Sequence, residues 1–250
     1  MPVDAFANCQ IQLALSGAYV FGCAFRSVLP VYDIPRLGLF DTWLSSVAVG
    51  RSVATFAELC FAAQWAAMLN AAARSTGSAF AGIVSLVILP LIATAEICSW
   101  YSVLTTSNVG HIAENSLWGV SAALGVAAIL MIIPRCAPER RPAMVGWCVA
   151  GALYVAFMFR FDVPTYAARW AADQAAGKPY LTVAQGFADV WARRVVSYRW
   201  EDWKSEVLWM SSYFSAAVWI SISLIQARIP RGSLPLAQRG VSSRSAITAK

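Results

Sequence analysis

The chain alternates between long apolar runs and short polar segments. A transmembrane helix needs about 20 predominantly apolar residues to cross a hydrocarbon core about 30 Å thick, and several of the runs reach or approach that length. The pattern predicts six transmembrane helices, at 11–29, 43–69, 79–104, 116–133, 144–159 and 205–227. We therefore expect an all-α, polytopic membrane helix bundle over residues 11–228, preceded by a short N-terminal segment at 1–10.

The segment at 160–204 is longer than most connections between packed helices. Phe187, Val190 and Trp191 fall at helix-like intervals in it. Two short amphipathic helices at the membrane surface account for this spacing and for the many Trp residues, because indole rings prefer the interface. We predict a long amphipathic outer loop between the last two transmembrane helices, and a loop that simply caps the bundle is the alternative.

Composition supports a membrane location, because 59% of the 250 residues are hydrophobic and only 13% are charged. A soluble domain carries about 25% charged residues. The formal net charge of +6 would suggest a nucleic-acid partner in a soluble protein. Most arginines instead flank the apolar runs, which is typical of membrane topology. We therefore expect the lipid bilayer, and no nucleic acid, as the partner of this chain.

Six spans place both termini on one side of the membrane, together with the second and fourth loops. These loops and the tail at 229–250 hold most of the Lys and Arg residues outside the 160–204 segment. The positive-inside rule makes this side cytoplasmic. The strong preference for Arg over Lys hints at a GC-rich bacterial genome, so we expect the bacterial inner membrane with both termini in the cytoplasm. The basic, Ser-containing tail is predicted to be disordered.

Arg51 and Glu58 stand out because they lie inside the second apolar run. A charge in a bilayer costs roughly 2.5 to 3.5 kcal/mol on insertion scales and usually faces the bundle interior or a watery cavity. With a rise of about 1.5 Å per residue, Arg51 and Glu96 both lie about 12 Å below the outer surface, which predicts an ion pair. Glu58 lies about 22 Å deep with no partner at its level, so we expect it to hold a proton.

The start of the fourth helix carries a polar face. His111, Glu114 and Asn115 stand at positions i, i+3 and i+4, so they share one side of a helix. We expect residues at the approach to the last helix to close over this region: Tyr198, Arg199, Glu201, Asp202 and Glu206. The residues of the predicted polar site, in the outer half of the bundle, are Arg51, Glu58, Glu96, Trp100, Tyr101, His111, Glu114 and Asn115.

Glu58, Glu96, His111 and Glu114 are also a candidate metal site, because carboxylate-bridged di-iron sites use the same side chains. Those sites need two His and four carboxylates in reciprocal motifs, and this chain has one His. The single His excludes His-rich membrane hydroxylases, HExxH proteases and multi-His zinc hydrolases. The sequence contains no Walker A, GxSxG or dinucleotide glycine motif and therefore identifies no cofactor.

Three functions remain open. In the first, which we favour, a small transporter or ligand-binding membrane protein has a polar cavity in which Glu58 is a protonatable carboxylate beside the Arg51–Glu96 pair. In the second, a membrane-embedded enzyme acts on a lipid-like substrate, with His111 and Glu114 as acid and base or as metal ligands. In the third, a scaffold or assembly subunit uses its buried charges only to fix helix packing.

Overall fold

The computed structural model describes residues 3–226 and is built almost entirely of helices. Its α-helices are α1 (Val3–Val28), α2 (Val47–Thr76), α3 (Ala79–Thr105), α4 (Val109–Ile132), α5 (Arg141–Phe157), α6 (Val163–Ala175), α7 (Val183–Ala192), α8 (Trp200–Trp203), α9 (Val207–Ser211) and α10 (Val218–Gln226). Its strands are β1 (Val31–Tyr32), β2 (Leu37–Gly38) and β3 (Val195–Val196). The tail predicted at 229–250 lies outside the described residues.

Six stretches of helix are long and apolar enough to span a membrane. They are Cys9–Val28, Val47–Thr76, Ala79–Thr105, Val109–Arg135, Pro138–Ala175 and Val207–Ile225. The prediction of an all-α bundle with six spans is confirmed within residues 3–226. These spans are those of an integral membrane protein.

The fifth span is longer than the sequence predicted. Instead of ending near residue 159, the helix continues from α5 through a π-helical turn, Met158–Asp162, into α6. Pro164 follows this turn, and proline removes one backbone donor from the helical ladder. A π turn absorbs such an interruption without ending the helix. The first of the two helices predicted in the 160–204 loop is therefore an extension of the fifth span.

Neighbouring long helices pack side by side: α1 on α2, α2 on α3, and α3 on α4, while α10 packs against α1. Ile88, Ile92 and Ile132 are fully buried in the apolar core that α2, α3 and α4 share. Gly110 allows α4 to approach α3 closely, because a Cβ at this position would collide with the carbonyl oxygen of Cys98. This close approach brings the polar residues of α3 and α4 together.

A small cap, made of the three strands and α7, covers the end of the bundle where α3 leads into α4. In its sheet, β1 pairs antiparallel with β2, and β2 pairs parallel with β3. Arg36 is fully buried; its Nε donates to Asp189 at 2.8 Å and its Nη2 donates to the carbonyl of Val103 at 2.7 Å. Burial lowers the pKa of Arg36, and the Asp189 carboxylate opposes that effect. Arg36 thereby joins the sheet, α7 and α3.

The connection at 176–204 contains α7, β3 and α8. In α7, Val190 is buried, whereas Phe187 and Trp191 are exposed, so one face of this helix packs on the bundle and the other faces outward. Gly186 lies directly against α3, because a Cβ there would collide with the carbonyl oxygen of Leu104. The helix therefore covers the end of the bundle closely.

Candidate functional site

Arg51 of α2 is the centre of a buried group of charges. Its Nη2 lies 2.6 Å from Glu96 Oε2, 3.1 Å from Glu114 Oε1 and 3.5 Å from Glu58 Oε2. His111 joins them through a contact of 2.7 Å between its Nδ1 and Glu114 Oε2. We call Arg51, Glu58, Glu96, His111 and Glu114 the carboxylate cluster; α2, α3 and α4 supply its members, and each is at most 6% exposed.

Glu58 has partners, which corrects the prediction that it lies alone. Besides Arg51, it contacts Tyr213 of the last span, whose hydroxyl donates to Glu58 Oε1 at 2.8 Å. The prediction compared Cα depths. A separation of seven residues is a rise of roughly 10 Å, and two long side chains on one helical face bridge it. Helical side chains also lean towards the N-terminus, which turns Glu58 towards Arg51.

Neutral side chains position Glu96. Thr55 Oγ1 donates to Glu96 Oε2 at 2.6 Å. Trp100 Nε1 in turn donates to Thr55 Oγ1 at 3.1 Å. Glu96 Oε2 therefore accepts from both Arg51 and Thr55, and its contact with Arg51 is the shortest that the guanidinium makes with the three carboxylates. The predicted Arg51–Glu96 ion pair is present.

The carboxylate cluster contains more negative than positive groups. Oxygens of Glu58, Glu96 and Glu114 lie within 4.8 Å of one another. Arg51 supplies one positive charge, and His111 supplies at most one more. If all three carboxyl groups were ionised, one or two negative charges would stay uncompensated. Because an unpaired buried charge is strongly destabilising, we expect the cluster to hold at least one additional proton or another cation.

Two fully buried polar atoms of the cluster have no hydrogen-bond partner among the described residues: Arg51 Nε and Glu96 Oε1. Buried polar atoms are nearly always hydrogen-bonded in native proteins. Glu96 Oε1 can therefore accept one more hydrogen bond, for instance from a protonated carboxyl group. The hydrogen-bonding capacity of the cluster is therefore not fully used, unlike that of a structural ion pair in which every polar atom is hydrogen-bonded.

Two predicted site residues take no part in the cluster. Tyr101 is 48% exposed. Asn115 is half-buried, and its side chain makes no hydrogen bond within residues 3–226. Sequence reasoning in turn missed Tyr213 and Tyr166, whose ring centroid lies 4.9 Å from that of His111. Tyr213 lies 155 positions after Glu58, and no local spacing can reveal such a contact.

A cleft of about 80 Å³ opens between α6 and the start of the last span. Asp162, Tyr166, Arg169 and Glu206 are among the residues that line it. Glu206 accepts hydrogen bonds from Arg169 Nη2 at 2.8 Å and from Trp209 Nε1 at 2.6 Å. We predicted that Glu206 would close over the polar site. In the structure Glu206 pairs with the extension of the fifth span, which the sequence had assigned to a loop.

A second buried polar group joins α1, α2 and α10; we call Gln12, Ser16, Gln64 and Ser221 the amide cluster. Gln64 Nε2 donates to the Ser221 carbonyl at 2.8 Å, and Ser221 Oγ donates to Gln64 Oε1 at 2.7 Å. The Ser16 and Ser221 hydroxyls are 2.8 Å apart, and Gln12 Nε2 donates to the Gln64 carbonyl at 3.1 Å. The group contains no charge.

The three carboxylates of the predicted metal site lie together in the structure. Glu58, Glu96 and Glu114 offer oxygens close enough to share an ion. Arg51 Nη2 contacts all three of these carboxylates. A metal ion bound among them would compete with the guanidinium. His111 Nδ1 is engaged by Glu114, so only Nε2 is open to further binding.

Comparison of the chain with protein-family models, curated proteins and solved structures finds no match.

Proposed function

We propose that this protein is a small transporter or ligand-binding membrane protein that binds and releases a proton at the carboxylate cluster. One observation carries the proposal: three buried carboxyl groups surround a single guanidinium. Ionisable groups inside membrane spans are expensive and usually belong to ion or proton pathways. An excess of carboxyl groups over cations gives the cluster a protonated and a deprotonated state.

Glu58 is the group that exchanges the proton. Its 3.5 Å contact with Arg51 is the longest of the three, so the guanidinium stabilises its ionised form least. When Glu58 is protonated, only Glu96 and Glu114 share the positive charge of Arg51, and Glu114 also pairs with His111. Because the groups interact strongly, the proton belongs to the cluster as a whole, and Glu58 is its preferred position.

Tyr213 connects the proton to the helix arrangement. It lies in a π-helical turn, Ser212–Ala217, of the last span, and π turns occur frequently at functional sites. Its hydroxyl donates to Glu58. Loss of the proton strengthens the attraction of Glu58 for Arg51 and for the Tyr213 hydroxyl. Protonation thus changes how firmly the last span is held to α2, which is the coupling that a carrier needs.

Proton flux into vesicles tests the proposal. The purified protein is reconstituted into phospholipid vesicles that contain a pH-sensitive dye, and a potassium gradient with valinomycin makes the interior negative. We expect faster acidification with the wild type than in protein-free vesicles, and no such gain with Glu58→Gln. Glu139→Gln, which alters an exposed carboxyl group, should match the wild type. Equal flux through the wild type and Glu58→Gln would rule the proposal out.

A metal-dependent membrane enzyme is the second candidate. The proximity of three carboxylate oxygens favours it, and His111 adjoins one of them. This alternative predicts stoichiometric metal in the purified protein by elemental analysis, and its loss in the Glu58→Gln and His111→Ala variants. Metal-free wild-type protein that still supports proton flux would exclude it.

A further inference from the structure

We infer that the cleft between α6 and the last span is the aqueous entrance to the carboxylate cluster, and that Tyr166 and His111 form the passage between them. This inference rests on the proposed function, because it assigns a route to the proton that Glu58 exchanges. The route begins at polar side chains of the cleft and ends at Glu114.

The size and lining of the cleft suit water. A volume of about 80 Å³ accommodates a few water molecules. Asp162, Thr165, Arg169 and Glu206 supply polar groups along its wall. The Arg169–Glu206 ion pair, with 2.8 Å between Nη2 and Oε1, joins the two sides of the cleft. Water held by several polar partners is stable in such a space.

Tyr166 and His111 join the cleft to the cluster. Tyr166 lines the cleft, and its ring centroid lies 4.9 Å from that of His111. His111 is 6% exposed, and its Nδ1 contacts Glu114 Oε2 at 2.7 Å. No hydrogen bond to His111 Nε2 is formed within the described part of the chain. The imidazole therefore has one nitrogen on the cluster and one open for a proton from the cleft.

A proton passes through this imidazole without a change in its net charge. Hydronium in the cleft gives a proton to Nε2 and becomes water, and the Nδ1 proton moves to the Glu114 carboxylate. The ring is then neutral in its second tautomer, and water-mediated transfer of the ring proton from Nε2 to Nδ1 restores the first. His suits this relay because its two nitrogens accept and donate near neutral pH. The titratable groups around it are Glu114 on its own helix, and Asp162 and Tyr166 on the fifth span.

Filling the cleft tests the route. Thr165→Trp places a large side chain at the cleft, and Thr94→Trp is its matched control. Both threonines are exposed on helices and donate to a carbonyl four residues earlier, but Thr94 does not line the cleft. In the vesicle assay we expect Thr165→Trp to lose the proton flux that Thr94→Trp retains. Wild-type flux through a folded Thr165→Trp variant would overturn the inference.

The role of His111 is tested by chemical rescue. We expect His111→Ala to reduce the flux about a hundredfold, within the range for lost proton-transfer groups. Added imidazole should restore part of the flux in this variant, and should fail to do so when Thr165→Trp is also present. A merely structural role of His111 predicts no rescue in either variant, and that outcome would refute the relay.

The inference and the proposed function fail in different ways. If Glu58→Gln abolishes flux while Thr165→Trp and His111→Ala leave it intact, the proton uses another route and the inference is wrong. If Glu58→Gln leaves the flux unchanged, the proposed function itself is wrong.

Discussion

The carboxylate cluster and the amide cluster are both buried between helices, and α2 contributes to each. They differ in charge. The amide cluster is neutral, and Gln64 and Ser221 satisfy each other through paired hydrogen bonds. The carboxylate cluster holds three carboxyl groups against one guanidinium. Each cluster has a buried oxygen without a partner in the described part of the chain, Gln12 Oε1 in the amide cluster and Glu96 Oε1 in the carboxylate cluster, so the charge is what distinguishes them.

This difference separates polar groups that fix helices from polar groups that exchange a proton. A buried hydrogen-bond network that satisfies its members gives a unique packing arrangement, and the bonds between Gln64 and Ser221 tie α2 to α10 in this way. A cluster with excess carboxyl groups changes its charge when it gains or loses a proton. The amide cluster is therefore an internal control for the carboxylate cluster, because it shares burial but lacks the charge.

Arg51→Gln should have the largest effect, because it leaves three carboxyl groups without their cation. We expect a loss of about 3 to 5 kcal/mol in the free energy of unfolding, measured by thermal or denaturant unfolding in detergent micelles. The folded variant must bind more protons than the unfolded chain, so its stability should increase as the pH falls. Arg193→Gln removes a partly exposed pair with Asp189 and should cost less than about 1 kcal/mol. Equal losses in both variants would contradict the central position of Arg51.

Gln64→Leu tests the amide cluster. It removes both hydrogen bonds between the Gln64 side chain and Ser221, so we expect a loss of about 1 to 3 kcal/mol in the free energy of unfolding. Proton flux per folded molecule should remain at the wild-type level. Gln174→Leu, which alters an exposed glutamine, provides the stability baseline. A flux defect in Gln64→Leu would show that the two clusters do not have separate roles.

Tyr213→Phe removes one hydrogen bond to Glu58. We expect a loss of about 1 kcal/mol in the free energy of unfolding. Tyr198→Phe is the control, because Tyr198 is 77% exposed and its hydroxyl should contribute nothing measurable. If the two variants unfold identically, Tyr213 does not couple the last span to the carboxylate cluster.

Glu58→Gln should have the smallest effect on stability. Glutamine has the shape of a protonated glutamic acid and still accepts the Tyr213 hydrogen bond, so we expect a change below about 1 kcal/mol. The same variant should lose proton flux. A loss of stability as large as that of Arg51→Gln would mean that Glu58 is an obligatory negative partner of Arg51 and holds no proton.

Local spacing predicted the parts of the molecule that lie within one helix or between consecutive helices. The length of the apolar runs predicted the six spans, and equal depth predicted the Arg51–Glu96 pair. The contact between His111 and Glu114 follows from their spacing of three residues on one helical turn. These features depend on helical geometry alone, which the sequence determines directly.

The remaining features depend on contacts between distant parts of the chain. The pairing of Tyr213 with Glu58 and of Glu206 with Arg169 follows from the arrangement of the last span against α2 and α6. The continuation of the fifth helix past residue 159 depends on a π turn, for which apolar periodicity gives no signal. Side-chain length also matters, since Arg51 reaches Glu58 although their Cα atoms lie at different depths.

The most direct test of the central claim is an infrared titration of the carboxyl groups in purified protein. The wild type should show the absorption of a protonated carboxylic acid at neutral pH, and that band should disappear at higher pH. We expect the band to be lost in Glu58→Gln and kept in Glu139→Gln. If the wild type shows no such band, or if Glu58→Gln retains it in full, Glu58 does not hold the proton and the account is wrong.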